Sequence, residues 1–276
     1  MVSVSRPPIP CSYRIASLTT LLLTIVATAV GLFVPNFYRD DPVLLPQIYG
    51  QDLLTLVVGV PALAVSLYYA NRGSLRGYVV WLGVTGYLLY TYASYAFMTA
   101  FNELYLVYTT LLWLTLFTFV GGMLRLDAAA LKRDLSEASV RPYVVFQLFL
   151  VVLVSLLWLS EILPATLAGT TPASIAEPGL PTSVIYSLDL GIIIPAFALT
   201  AYWLWNRRPW GYAFTAVLLV KIATLGGAVL AMIIYMILDG QPVPLPQILI
   251  FGTLTAISLG LMGRFLVAIS PGSNPV

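Results

Sequence analysis

Residues 182–238 read TSVIYSLDLGIIIPAFALTAYWLWNRRPWGYAFTAVLLVKIATLGGAVLAMIIYMIL. Two apolar stretches, each long enough to cross a hydrocarbon core of about 30 Å as a helix, are joined by Asn206, Arg207, Arg208 and Pro209. Asp189 is set into the first stretch and Lys221 into the second. Charges inside hydrocarbon are costly unless they meet a partner or water, so this pair is the strongest functional pointer in the chain.

The rest of the sequence has the same character. Of 276 residues, 60% are hydrophobic and 9% charged, an apolar share well above the ~45–50% of a soluble domain. Unbroken apolar runs of this length exclude a transmembrane barrel, whose strands are about ten residues long and alternate in polarity. Histidine is absent and Cys11 is the only cysteine. This excludes intrachain disulfides, Cys/His zinc sites, His-ligated haem, Cys-held iron–sulfur clusters and catalysis by histidine. No cofactor, metal or nucleic-acid partner is assigned; the partner that composition does imply is the lipid bilayer.

The apolar runs predict an all-α integral membrane bundle of eight transmembrane helices. They fall at Ile15 to Val34, Leu53 to Ala70, Gly77 to Ala100, Leu104 to Leu124, Tyr143 to Leu163, Thr182 to Trp205, Gly211 to Leu238 and Leu245 to Ile269. Ala27, Thr28 and Ala29 have the small-residue spacing of a signal-peptidase site, but the apolar run continues past them, so the first span is read as a retained anchor. Arg125 to Arg141 is charged and lacks an apolar run. It divides the chain into a first unit over 1–124, a linker over 125–141 and a second unit over 142–276.

Charge placement sets the expected orientation. With eight alternating spans, Arg6, Arg14, Arg72, Arg76, Arg125, Lys132, Arg133, Arg141, Arg207, Arg208 and Arg264 fall on one side and Arg39 alone on the other. The positive-inside rule then makes both termini cytoplasmic. Without organelle signals, the expected location is a prokaryotic cell (inner) membrane. Asp40, Asp41, Asp52, Glu103, Glu161, Glu177 and Asp239 gather toward the outer side. They form either a vestibule that favours cations or an ordinary solvated rim.

The two units share ordered markers. Ile48-Tyr49-Gly50-Gln51-Asp52-Leu53 and Ile185-Tyr186-Ser187-Leu188-Asp189-Leu190 both read I-Y-x-x-D-L, and after a short offset Pro61 matches Pro195 and Gly77-Tyr78 matches Gly211-Tyr212. This predicts a tandem 4+4 repeat. An even number of spans per unit gives both copies the same sense across the membrane, hence a parallel repeat. Tyr87 then stands where the second unit has Lys221.

At ~1.5 Å per residue, Lys221 lies roughly 15 Å from the inner boundary and Asp189 roughly 10 Å from the outer one, so in a ~30 Å core their levels nearly coincide. The pair is therefore either a structural ion pair or a polar centre for a substrate or a proton. Tyr87 and Tyr90 lie deeper than most residues of an interfacial aromatic belt, which explains them less well than it explains the tyrosines and tryptophans at the span ends; with Asp52 and Glu103 they complete the set of candidate binding residues. Nothing matches a phosphate loop, a serine-nucleophile turn or a metal motif. A transmembrane lysine invites comparison with retinal-binding proteins, but no other residue pattern supports that family.

Asp189-Leu190-Gly191, Pro195, Arg207-Arg208-Pro209-Trp210-Gly211-Tyr212 and Lys221 together resemble a pattern found in uncharacterised prokaryotic multi-pass membrane proteins. The resemblance covers the sixth and seventh spans well and the others loosely, and it implies no activity. The functional expectation is a small-solute transporter or permease-like protein, with a polar intramembrane site between repeats that takes a small solute or a lipid. Two alternatives remain: a non-catalytic subunit or sensor whose cytoplasmic linker docks a protein partner, and an intramembrane enzyme acting on a lipid or quinone.

Overall fold

The computed structural model describes residues 9–269; Arg6 and both chain ends lie outside them. All regular structure among the described residues is helical, in the order α1 (Cys11–Phe33), α2 (Leu45–Leu54), α3 (Val60–Asn71), α4 (Leu75–Met98), α5 (Tyr105–Arg125), α6 (Ala128–Asp134), α7 (Arg141–Ala168), α8 (Ala173–Ala176), α9 (Val184–Leu188), α10 (Ile194–Trp205), α11 (Pro209–Leu238) and α12 (Leu245–Ala268). By length and composition, seven helical segments among these residues can cross a membrane: α1, Leu45–Asn71, α5, α7, Val184–Trp205, α11 and α12. The chain is thus a multi-pass helical membrane protein.

α4 is not one of the seven, although it is long. Tyr78, Tyr87, Tyr90, Tyr92 and Tyr95 lower its hydropathy, and most of its length is buried against other helices rather than exposed to lipid.

Local chemistry sets the helix ends. The Ser74 hydroxyl accepts the Gly77 amide at 3.1 Å to open α4, and Asp127 accepts the Ala130 amide at 2.9 Å to open α6. Such caps satisfy amides that a first helical turn leaves without intrahelical partners. α7 closes on Gly169, whose φ of 66° is left-handed.

Two of the spans are broken in the same way. Between α2 and α3 lies a π-turn over Thr55–Gly59, and between α9 and α10 a second over Asp189–Ile193. Each precedes a proline, Pro61 or Pro195, in the first turn of a 12-residue helix. A proline within a continuous α-helix drives its ring into the carbonyl four residues back, and widening the preceding turn relieves that clash.

α4 and α11 cross at the middle of the bundle. A Cβ on Gly83 would sit 2.3 Å from the Val220 Cβ and 3.0 Å from the Val217 carbonyl, so only glycine permits this approach. Gly50 does the same for α2, since a Cβ there would meet the backbone of Met232 at 2.4 Å. α6, within the expected linker, packs against α11 and buries Ala128, Ala130 and Leu131. That apolar side escapes a reading based on long apolar runs.

The two ends of the bundle differ in charge. At one, Arg76 donates to the carbonyls of Val267 and Ile269, Arg207 donates to the Ser136 carbonyl at 3.0 Å, and the Arg125 guanidinium lies over the Tyr13 ring. At the other, Arg39 pairs with Glu103, and Asp40 accepts the Ala100 amide at 2.9 Å.

Candidate functional site

Asp189 is the first residue of the second π-turn, which places its side chain among α4, α7 and α11. Its Oδ1 accepts the Tyr90 hydroxyl at 3.0 Å, and its Oδ2 accepts the Trp158 indole N–H at 2.9 Å. Lys221, mid-way along α11, is buried, and its Nζ sits 4.1 Å from the centroid of the Tyr90 ring. Tyr90 therefore stands between the two charges, with its hydroxyl on the carboxylate and its ring face under the ammonium. The expected direct ion pair is absent among the described salt bridges, and Lys221 Nζ has no hydrogen-bond partner. A cation over an aromatic face gains as much as ~2 kcal/mol when desolvated, which partly replaces the missing carboxylate contact.

The group lines a cavity of about 350 Å³ between α2, α4, α7, the broken span of α9 and α10, α11 and α12. The cavity runs from Lys221 to Asp40 and Leu44, beside the start of α2. Its wall is mostly apolar, with Leu150 and Val154 of α7 facing Phe251 and Leu254 of α12 across it. Its volume lies at the lower end of the ~300–1,000 Å³ usual for small-molecule sites.

The other candidates are placed elsewhere. Tyr87 is fully buried, but its hydroxyl meets Thr55 Oγ1 at 2.7 Å and accepts from Gln51 Nε2 at 2.8 Å, in a network completed by Thr91. Asp52 is buried in a third group, where Tyr38 donates to its Oδ2 and Tyr95 to its Oδ1 at 2.8 Å. Tyr95 and Gln51 also line the cavity, so both networks back onto its wall. Glu103 is exposed at the bundle end with Arg39 and takes no part. Of the six expected binding residues, the structure brings together Asp189, Lys221 and Tyr90, holds Asp52 and Tyr87 in adjoining buried clusters, and leaves Glu103 on the surface.

Sequence reasoning missed Trp158, Gln51, Tyr38 and Tyr95. Trp158 carried a usable signal, because a tryptophan well inside an apolar span is out of place in an interfacial belt. Tyr38 lies between α1 and α2 and carried none. Burial, reinforced by the neighbouring Asp52 carboxylate, holds the Tyr38 phenol well above its usual range, so it remains a donor. At the cavity mouth, burial also raises the Asp40 carboxyl above the usual carboxylate range, against the opposing effect of the Ala100 amide.

No group of His, Cys, Asp or Glu side chains able to hold a metal occurs among the described residues. No protein-family model, curated protein or solved structure matches this chain.

Proposed function

We propose that the protein is a permease-like carrier for a small solute or lipid, with its binding site in the cavity between two four-helix repeats. The observation that carries this reading is the single cavity wall on which Asp189 and Lys221, from different helices, meet through Tyr90. Intramembrane charges facing a cavity mark substrate or ion paths more often than they serve packing alone.

Several features support the repeat. The two π-turns stand at the same distance before Pro61 and Pro195, and α3 and α10 have equal length. The separation that aligns the prolines also pairs Gly77 with Gly211, Thr55 with Asp189 and Tyr87 with Lys221. The Thr55–Tyr87 hydrogen bond of one unit is then the counterpart of the Asp189 and Lys221 group in the other. In this register the I-Y-x-x-D-L motifs do not coincide, because Asp52 lies nearly one turn before the position of Asp189. The same register pairs Gly83 with Val217, two residues that touch each other, as expected on a pseudo-twofold axis. Gly121-Gly122-Met123-Leu124-Arg125 and Gly260-Leu261-Met262-Gly263-Arg264 close the fourth spans with similar residues.

In this reading α4 is the eighth span, shielded from lipid by its neighbours, and the arginine-rich end is cytoplasmic. The test is uptake by proteoliposomes from a mixed extract of metabolites and lipids, read by mass spectrometry. Wild-type vesicles should accumulate a component that empty vesicles and Asp189→Asn, Lys221→Met vesicles do not. Equal accumulation in all three would remove the transport reading.

A further inference from the structure

Gln47, Thr99 and Gln247 of the cavity wall make no side-chain hydrogen bond among the described residues, but the polar side chains around the Asp189 and Lys221 group are largely engaged. Both oxygens of Asp189 are taken by Tyr90 and Trp158. The hydroxyls of Thr91, Ser94 and Thr255 donate to the carbonyls of Tyr87, Tyr90 and Phe251 in their own helices, and Gln51 Nε2 is shared among Thr55, Tyr87 and Thr91. Two buried polar atoms of the wall among the described residues are without partners: Lys221 Nζ in the interior and Asp40 Oδ2 at the mouth. A buried donor left unmatched is destabilising, the more so if charged. What the interior of the site lacks is an acceptor.

Charge and shape narrow the occupant further. Lys221 and Asp189 are opposite in formal charge and share one wall, so an added anion would leave a net charge in low dielectric, which is strongly disfavoured. A polyhydroxylated solute would bury hydroxyls that the apolar wall cannot satisfy. Among the apolar lining residues of α7, Leu150 is buried and Leu157 is exposed, so the lining reaches from the interior to the outer face of that helix. In the first half of the chain α1 packs along α5, whereas α7 and α12 make no comparably extensive contact, and Tyr143 and Phe265 meet near one end with ring centroids 5.2 Å apart. Beyond that contact the cavity lies between the two helices, with Leu150, Val154 and Leu157 on one side and Phe251 and Leu254 on the other.

We infer that the cavity takes an uncharged, chain-like amphiphile bearing a carbonyl oxygen, with that oxygen accepting from Lys221 Nζ and the chain lying between α7 and α12. This rests on the cavity being a binding site, as proposed above, and specifies the class of its occupant. A ketone, ester, aldehyde or quinone head has the required acceptor and no charge. A free fatty acid has the acceptor with a charge that the site does not balance, and a protonated amine offers a charge without an acceptor.

The test uses Lys221 as its own reporter. Tetradecanal is added to the purified full-length protein in detergent with cyanoborohydride, which reduces an imine but spares the free aldehyde and ketone. Where the aldehyde carbon reaches Nζ, the amine adds to it, water leaves, and hydride reduces the resulting imine to a stable secondary amine that peptide mass mapping locates. Lys132, the only other lysine in the chain, reports background labelling. The expected result is labelling at Lys221 that 2-tetradecanone suppresses at a concentration at least tenfold below that needed with tetradecanoic acid. Val154→Trp, which fills the space between α7 and α12, should reduce labelling at Lys221 and leave Lys132 unchanged. If tetradecanoic acid suppresses labelling as well as or better than the ketone, the neutral-carbonyl class is wrong while the cavity remains a binding site. If Lys221 is unreactive in the folded protein but labelled after denaturation, and no amphiphile raises the thermal midpoint, both the inference and the binding reading fail.

Discussion

Two carboxylates in this protein lie in broken or bent spans near the same end of the bundle, yet their surroundings differ. Asp52 is enclosed. Tyr38 and Tyr95 cap its oxygens, and the Tyr95 ring meets those of Tyr92 and Tyr108 edge to face while the latter two stack on each other. Asp189 is capped just as completely, by Tyr90 and Trp158, but those groups form one wall of an open cavity. Satisfying a buried carboxylate therefore does not require filling the space around it. In the first region the aromatic donors are also the packing, so the site is structural. In the second the donors stand at the edge of a void, and a lysine without a partner faces it.

The comparison fails if the two regions respond alike to mutation. Asp52→Ala should give the largest effect, because two buried phenols lose their acceptor and a cavity opens; at about 1–3 kcal/mol per unmatched group, the loss should reach about 3–5 kcal/mol. A thermal midpoint in detergent close to that of wild type would show the tyrosine cluster to be less important than its burial suggests. Tyr90→Phe keeps the ring beneath Lys221 and removes one donor to Asp189, so a loss of about 2 kcal/mol is expected, the usual range for a hydrogen bond to a charged group. Native mass spectrometry of the same variant should show weaker retention of any co-purified ligand, whereas an unchanged adduct would place the ligand elsewhere.

A pH series separates the regions more finely. The Tyr38 phenol is raised in the folded state by burial and by Asp52. The unfolded chain begins to release this proton near pH 10 while the folded chain keeps it, so stability falls as pH rises above that point, by at most about 1.4 kcal/mol per pH unit. Tyr38→Phe should make the slope of the unfolding free energy against pH shallower between about pH 10 and 11. An unaltered slope would detach Tyr38 from the cluster's energetics.

The smallest stability change is expected at Lys221→Met. Its amine has no hydrogen-bond partner, so methionine removes an unmatched buried donor at similar length, while Asp189 keeps its own donors, Tyr90 and Trp158, which offset the loss of the opposite charge. The variant should unfold within about 1 kcal/mol of wild type, while losing ligand retention. A large destabilisation would mean that Lys221 holds the bundle together, and would return it to the structural role its sequence position equally allowed.

The helices and part of the site were legible in the chain because each follows from local rules. The Arg207-Arg208-Pro209 turn, Pro61 and Pro195 marked ends and breaks correctly, and a rise of about 1.5 Å per residue brought Asp189 and Lys221 to one level. Level along an axis says nothing about rotation around it. Trp158 joined Asp189, Lys221 and Tyr90, while Tyr87 and Asp52 went to adjoining clusters, because packing against the other helices sets which face each helix turns toward Asp189. Glu103 was grouped with the others by its place at a span end, and a salt bridge to Arg39, far away in sequence, keeps it at the surface.

A helix in hydrocarbon must satisfy its own backbone hydrogen bonds, so apolar run length, proline, glycine and arginine suffice to write down most of the spans, and the sequence by itself determined the seven that are long and apolar enough to cross a membrane. Tertiary structure alone decided that α1 closes on α5 while α7 stands away from α12, and that a tyrosine rather than a direct contact joins the aspartate to the lysine. Both depend on side chains from distant parts of the chain competing for one volume. Short-range pattern does not encode the outcome of that competition.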